Sequence, residues 1–228
     1  MEAAKGRAFK RQVLVLLQTD PFDPVLKTLV GFTPRRVVNP LISFFLNPDP
    51  LVRWRAITAM GVVVAALAEK DMESARVVMR RLTWSLNDES GGIGWGAPEA
   101  MGEIMAQSEP IADEYARILI SYIDPRGNYL EHEGLQRGVL WGIGRLARNQ
   151  PCHAKPSAPF LAPYLASSDP HLRGLAAWVA VAPGMDRSPV LWARLAQDRN
   201  VVEIFIDGRI RSIEICELVS GSDSGCDR

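Results

Sequence analysis

The sequence predicts an all-α fold, a right-handed α–α superhelix (a solenoid) of about five helix pairs ending in a small β-hairpin. Three observations predict it. Trp54-Arg-Ala-Ile-Thr-Ala-Met-Gly61 returns forty-one positions later as Trp95-Gly-Ala-Pro-Glu-Ala-Met-Gly102. Asp49-Pro-Leu-Val-Arg53 returns 120 positions on as Asp169-Pro-His-Leu-Arg173. A self-similarity near forty residues marks stacked helix pairs, each unable to bury its apolar face alone. Finally, residues 201–215 alternate at period two around Asp207-Gly208, a pair suited to a type I′ turn because both central residues need positive φ.

The elements follow in order. Phe9, Val13, Leu14, Leu16 and Leu17 form one helical face over residues 7–18. Asp20-Pro21 and Asp23-Pro24 stop that helix and start a short one ending at Gly31, and Thr33-Pro34 opens the next. Asn47-Pro-Asp-Pro50 is a turn, an N-cap and a proline in the first turn, so a Val- and Ala-rich helix spans 50–68. Helix 72–86 is expected to bury Val77, Val78, Leu82 and Leu86. After a loop from Asn87 to Gly96, helices begin at Ala97, Pro110 and residue 131. A proline-rich break (Pro151, Pro156, Pro159, Pro163) precedes helices around 159–166 and 170–182, and a last short helix begins at Pro189. Residues 1–200 are thus one helical domain, 201–219 a hairpin packed on or extending the last repeat, and 220–228 a disordered tail.

Composition bounds the function. The 228 residues are 47% hydrophobic and 23% charged, and the 26 basic and 26 acidic side chains cancel. That balance argues against a general nucleic-acid binder, which carries a basic excess. The charge is uneven: residues 1–55 and 135–200 are basic and 56–134 acidic. Such blocks are solvated faces, or an acidic patch between basic ends that suits a partner of mixed charge. No stretch approaches eighteen uninterrupted apolar residues and no cleavage site follows the N-terminal helix, so neither a membrane span nor a secretory signal is expected. Three scattered cysteines fit a reducing compartment, the cytoplasm.

The unit Asp-Pro-x-Val-Arg followed by small residues and Gly resembles the HEAT repeat, particularly its phycobilisome-lyase-type form. Asp49, Arg53, Ala56, Ala59 and Gly61 carry the likeness, and Asp169, Pro170, Arg173 and Ala176 repeat it. It covers about residues 37–182. The run from Leu86 to Gly102 is also similar to uncharacterised HEAT-repeat proteins of sulfate-reducing bacteria. The resemblance implies a fold and a binding surface, and no chemistry. Within it, small residues let neighbouring helices approach closely, and Arg53 is expected to reach an Asp of the adjacent unit.

Ser90-Gly-Gly-Ile-Gly-Trp-Gly96 is the most unusual segment: a glycine-rich loop opening into a helix N-terminus, with Asp88 and Glu89 just before it. The acids argue against phosphate, and tight inter-helical packing explains the glycines equally well. Candidate binding residues are Trp84, Asp88, Glu89, Gly92, Gly94 and Trp95, joined by Asn128, Tyr129, Glu131 and His132 of a second loop. Of six tryptophans, Trp54, Trp141 and Trp178 suit repeated core positions or an aromatic groove, while Trp84 and Trp95 suit the surface. Glu131-His132-Glu133 is loosely similar to the His-Glu pairs of di-iron HEAT-repeat hydroxylases, but one pair is too few for a metal site. No catalytic residue and no cofactor are assigned. The expected function is a protein-binding scaffold using its groove and the Gly/Trp loop, with possible homodimerisation through the hairpin. The alternatives are a HEAT-scaffold enzyme, lyase-like or base-excising, with a site near Trp95 and Glu131, and nucleic-acid binding by Arg35, Arg36, Arg53, Arg55, Arg80 and Arg81.

Overall fold

The computed structural model describes residues 2–87, 94–185 and 189–220. Five helix pairs stack in two layers. The inner layer holds α2 (Phe22–Val30), α4 (Pro50–Ala68), α6 (Ala97–Gln107), α8 (Glu133–Asn149) and α11 (Pro170–Ala180). The outer layer holds α1 (Glu2–Leu17), α3 (Pro34–Phe44), α5 (Met72–Leu86), α7 (Glu109–Ser121) and a broken run: α9 (Pro151–Ala154), a 3₁₀ turn (Lys155–Phe160) and α10 (Ala162–Leu165). The prolines cause that breakage, since each removes an N–H and clashes with the preceding turn. Then come α12 (Pro189–Leu195), β1 (Val201–Ile206), β2 (Arg209–Glu214) and α13 (Ile215–Ser220).

Capping explains where the inner helices begin. Asp49 accepts the Leu51 N–H at 2.9 Å and Asp169 accepts that of His171 at 3.0 Å, each with proline in the first turn. Glycine explains how closely the inner helices pack. A β-carbon on Gly102 would lie 2.5 Å from the Gly142 carbonyl oxygen, so α6 and α8 meet backbone to backbone. The inner layer packs more tightly than the outer one, which curves the stack and makes the inner face concave. Met60, Met79, Met101, Ile104, Met105 and Leu119 fill the space between layers. Among the described residues α4 alone is long and apolar enough to cross a membrane, yet Val52, Ala56, Met60 and Val64 are buried against its neighbours, the position of a core helix.

Several expectations need correction. Val77 is 53% exposed, because Ala75, Val78, Met79 and Leu82 face inward and Val77 falls beside that stripe. Arg53 is exposed and forms no ion pair among the described residues. Other side chains bind unit to unit instead: Arg137 to Asp169 (2.8 Å), Arg145 to Glu103 (2.6 Å), Arg76 to Glu114 (2.6 Å), and Arg55 to Asp20. The helix expected from residue 131 begins at Glu133, with His132 as its cap. Residues 215–220, assigned to strand, hairpin and tail, form α13. The Ile215 and Cys216 N–H groups bond back to Asn200 and Asp198, ending the strand, and Ile215, Cys216 and Val219 bury one helical stripe. The rest of the expected tail, residues 221–228, lies outside the described residues.

The hairpin has the expected turn, with Asp207 at φ 52° and Gly208 at φ 74°, and Phe205 pairs with Ile210. Its placement is the main feature of the fold. β1 packs on α11, where Val202 sits against Gly174, and runs across the concave face toward α4.

Candidate groove and Gly/Trp edge

The concave face carries a row of indoles. Trp54 of α4 lies 4.6 Å, ring centre to ring centre, from Trp141 of α8, which lies 6.0 Å from Trp178 of α11. Trp54 and Trp141 therefore meet across α6, which lies between their helices. Phe205 fills this row: its ring stacks parallel on Trp54 at 5.0 Å, and its carbonyl accepts the Trp141 Nε1–H at 3.0 Å. One indole thus grips the strand's backbone while another holds its side chain, joining hydrogen bonding to aromatic stacking.

Two carboxylates lie on α6 one turn apart. Glu103 is buried and held by Arg145 through Nε (2.6 Å) and Nη2 (3.2 Å). Glu99 rests against Gly138, where a β-carbon would strike its carboxyl at 2.8 Å, and its Oε2 is buried without a hydrogen bond. Burial pushes Glu99 up to about 7, against only partial relief from its own N–H and the Arg53 charge.

The candidate residues separate into distinct places. Trp95, 38% exposed, packs over Gly134 and meets the His132 ring edge-on at 5.0 Å. His132 Nδ1 accepts the Gly134 N–H at 3.1 Å. Gly94 and Gly96 adopt φ of 40° and 79°, and Gly96 presses on Phe45, as tight inter-helical packing requires. Tyr129 accepts a hydrogen bond from Gln136 (2.8 Å) and Asn128 donates to Ser121 (3.1 Å), so both brace their loop. Glu131 is exposed, with no ion pair among the described residues. Trp84, 75% exposed, borders a separate outer cleft with Arg80, Thr83, Asn87, Glu114 and Tyr115. Asp88, Glu89 and Gly92 lie outside the described residues. Of the six arginines weighed for nucleic acid, Arg55 bonds Asp20 and the Leu17 carbonyl, Arg80 bonds Glu73, and Arg81 bonds Asn39.

Phe205, Glu99, Glu103, Arg145 and Arg148 escaped the sequence reading. Glu99 and Glu103, spaced i and i+4 and the only charged residues of a helix otherwise built of Ala, Pro, Gly, Ile, Met and Gln, were the available signal.

This architecture is a helical-repeat fold of the HEAT/armadillo type. Residues 133–179, from α8 through α11, match the HEAT-like repeat. An uncharacterized protein of Archaeoglobus fulgidus is 33% identical over 107 residues, 47% of this chain and 52% of that one. The chain therefore spans about half the length of that relative. Among solved structures, a designed armadillo repeat protein in complex with the peptide (KR)4 superposes with a TM-score of 0.53 at 13% identity, covering 95% of this chain and 98% of the other. A second designed armadillo repeat protein gives 0.52 at 13% identity, covering 95% and 99%. At such identity the likeness concerns the fold.

Proposed function

We propose that this protein is a non-enzymatic scaffold that holds an extended segment of a protein partner along its concave groove. One observation carries the reading: the groove already grips an extended strand, with Trp141 on its carbonyl and Trp54 on its aromatic side chain. Armadillo-type arrays of the same architecture include one seen with a bound peptide, which supports the reading. The chain's own hairpin then acts as a ligand in cis, and a partner strand bearing an aromatic residue competes with it. The edge formed by Trp95 and His132 extends the surface, and the cytoplasm is the compartment we assign. A second copy pairing along β2 is the rival occupant, opposed by the exposed Arg209 and Arg211 on that strand.

The test is a fluorescence titration with a peptide of residues 201–214. F205A vacates the Trp54 face and is expected to bind the peptide saturably and more tightly than wild type. Binding by neither chain contradicts the reading, and a concentration-dependent dimer that F205A abolishes favours the second copy. The enzymatic alternative, a site near Trp95 and Glu131, would draw its acid from Glu99, whose carboxyl burial pushes up to about 7. Turnover of any substrate that E99Q abolishes would establish it.

A further inference from the structure

A cavity of about 120 Å³ lies between the hairpin tip and the groove floor. Thr58, Glu103, Arg145 and Arg148 form its floor, Trp141 and Trp178 its walls, and the turn at Asp207-Gly208 its roof. One water needs roughly 10–15 Å³ measured this way, so the space admits a small molecule.

Its lining carries two carboxylates, Glu103 and Asp207, and two guanidiniums, Arg145 and Arg148, but they are not paired one to one. Arg145 spends its Nε and Nη2 on Glu103 and its Nη1 on Asn149 (3.1 Å), so that pair is closed. Arg148 lies 3.9 Å over the Trp178 ring and donates to two backbone carbonyls, of Gly144 (2.8 Å) and Trp178 (2.9 Å). No carboxylate bonds it among the described residues. A guanidinium carries five N–H donors, so three of Arg148's have no hydrogen-bond acceptor among the described residues. Burial, and then repulsion from Arg145, lowers Arg148 to about 10, with Asp207 pulling weakly the other way. The Asp207 carboxylate instead accepts from Arg211 at 3.2 Å. A half-buried cation without a bonded counter-charge is stabilised when an anion joins it.

We propose that this cavity binds a small oxyanion, carboxylate or phosphate in chemistry, which Arg148 holds by charge-assisted hydrogen bonds beneath the hairpin. With Glu103 held by Arg145 and Asp207 by Arg211, one further negative charge pairs with Arg148, and the indole walls accept a flat ligand. The site uses groove residues but does not depend on a peptide partner.

Thermal unfolding of the full chain tests it, in sodium acetate, sodium phosphate or neutral acetamide, each referred to sodium chloride at equal ionic strength. Acetate, phosphate or both should raise the midpoint in proportion to the logarithm of concentration, and acetamide should not. The responding anion distinguishes the two chemistries. R148Q should weaken the apparent affinity about tenfold, the loss of one charge-assisted contact. Because Arg148 also ties α8 to α11, D207N supplies an independent arm. Removing the roof's negative charge should tighten anion binding about twofold to threefold, which a merely structural Arg148 would not produce. Asparagine tolerates the turn's positive φ, so that variant keeps the hairpin. No shift beyond chloride, an equal shift with acetamide, or affinities unchanged in both variants would overturn the proposal.

Discussion

Gly102→Ala tests whether the inner helices truly meet backbone to backbone. The added methyl lies 2.5 Å from the Gly142 carbonyl oxygen, and the atoms it meets all belong to the Gly142 backbone. Ordinary contact needs about 3.5 Å or more, so α6 and α8 must separate by roughly an ångström. Overpacking of this kind costs about 1–3 kcal/mol, and an obstacle that cannot change rotamer places the cost at the upper end. Alanine's better helix propensity returns up to about 1 kcal/mol, leaving a net loss near 2 kcal/mol. Urea denaturation followed by circular dichroism measures it as a lower midpoint at unchanged slope. Gly6→Ala, in α1 with nothing within 4 Å of the new methyl, is the control and should leave stability unchanged or raised. A G102A chain as stable as wild type would refute the reasoning.

Three further outcomes follow. Glu99 sits near 7 in the folded chain against an ordinary 4.5, so the folded state binds the proton more tightly and stability drains away as pH rises from 4.5 to 7. That gap is worth about 3 kcal/mol, and E99Q should be more stable than wild type at pH 8 by an amount of that order and equal to it near pH 4, by urea titration at each pH. Asp49→Ala loses only an N-cap, about 1 kcal/mol, whereas Asp169→Ala also frees Arg137 and should cost about 2–3 kcal/mol; equal losses would deny the inter-unit pair its part. Phe205→Ala empties the aromatic stack, costs about 3–5 kcal/mol, and should shift tryptophan emission to the red as Trp54 becomes wetted.

The array was legible in the sequence because its causes are local. Asp-Pro starts, small residues at stacking faces and a forty-residue period can all be read along the chain. The strand turn was legible for the same reason. What failed depended on neighbours distant in sequence. Arg53 and Arg173 occupy equivalent positions, yet only Arg173 finds a carboxylate, Asp198, because a loop from beyond the repeats delivers it. Phe205 reads as one more apolar strand residue, and nothing nearby in sequence shows that Trp54, far up the chain, stacks on it. Arg148 reads as a solvated helix-end cation until the hairpin closes over it. The α13 stripe of Ile215, Cys216 and Val219 was present but masked by the alternation before it. The candidate site divided accordingly: Trp95 and His132 do meet, whereas Trp84 faces a different cleft.

Exchange of the six indole Nε1 protons, resolved by nitrogen-correlated NMR, tests most directly whether the hairpin occupies the groove. The Trp141 proton, bonded to the Phe205 carbonyl, should exchange far more slowly than that of exposed Trp84 and show a cross-peak to the Phe205 ring or its neighbours. A Trp141 proton that exchanges as fast as Trp84's, with no contact to residues 201–206, would contradict the account.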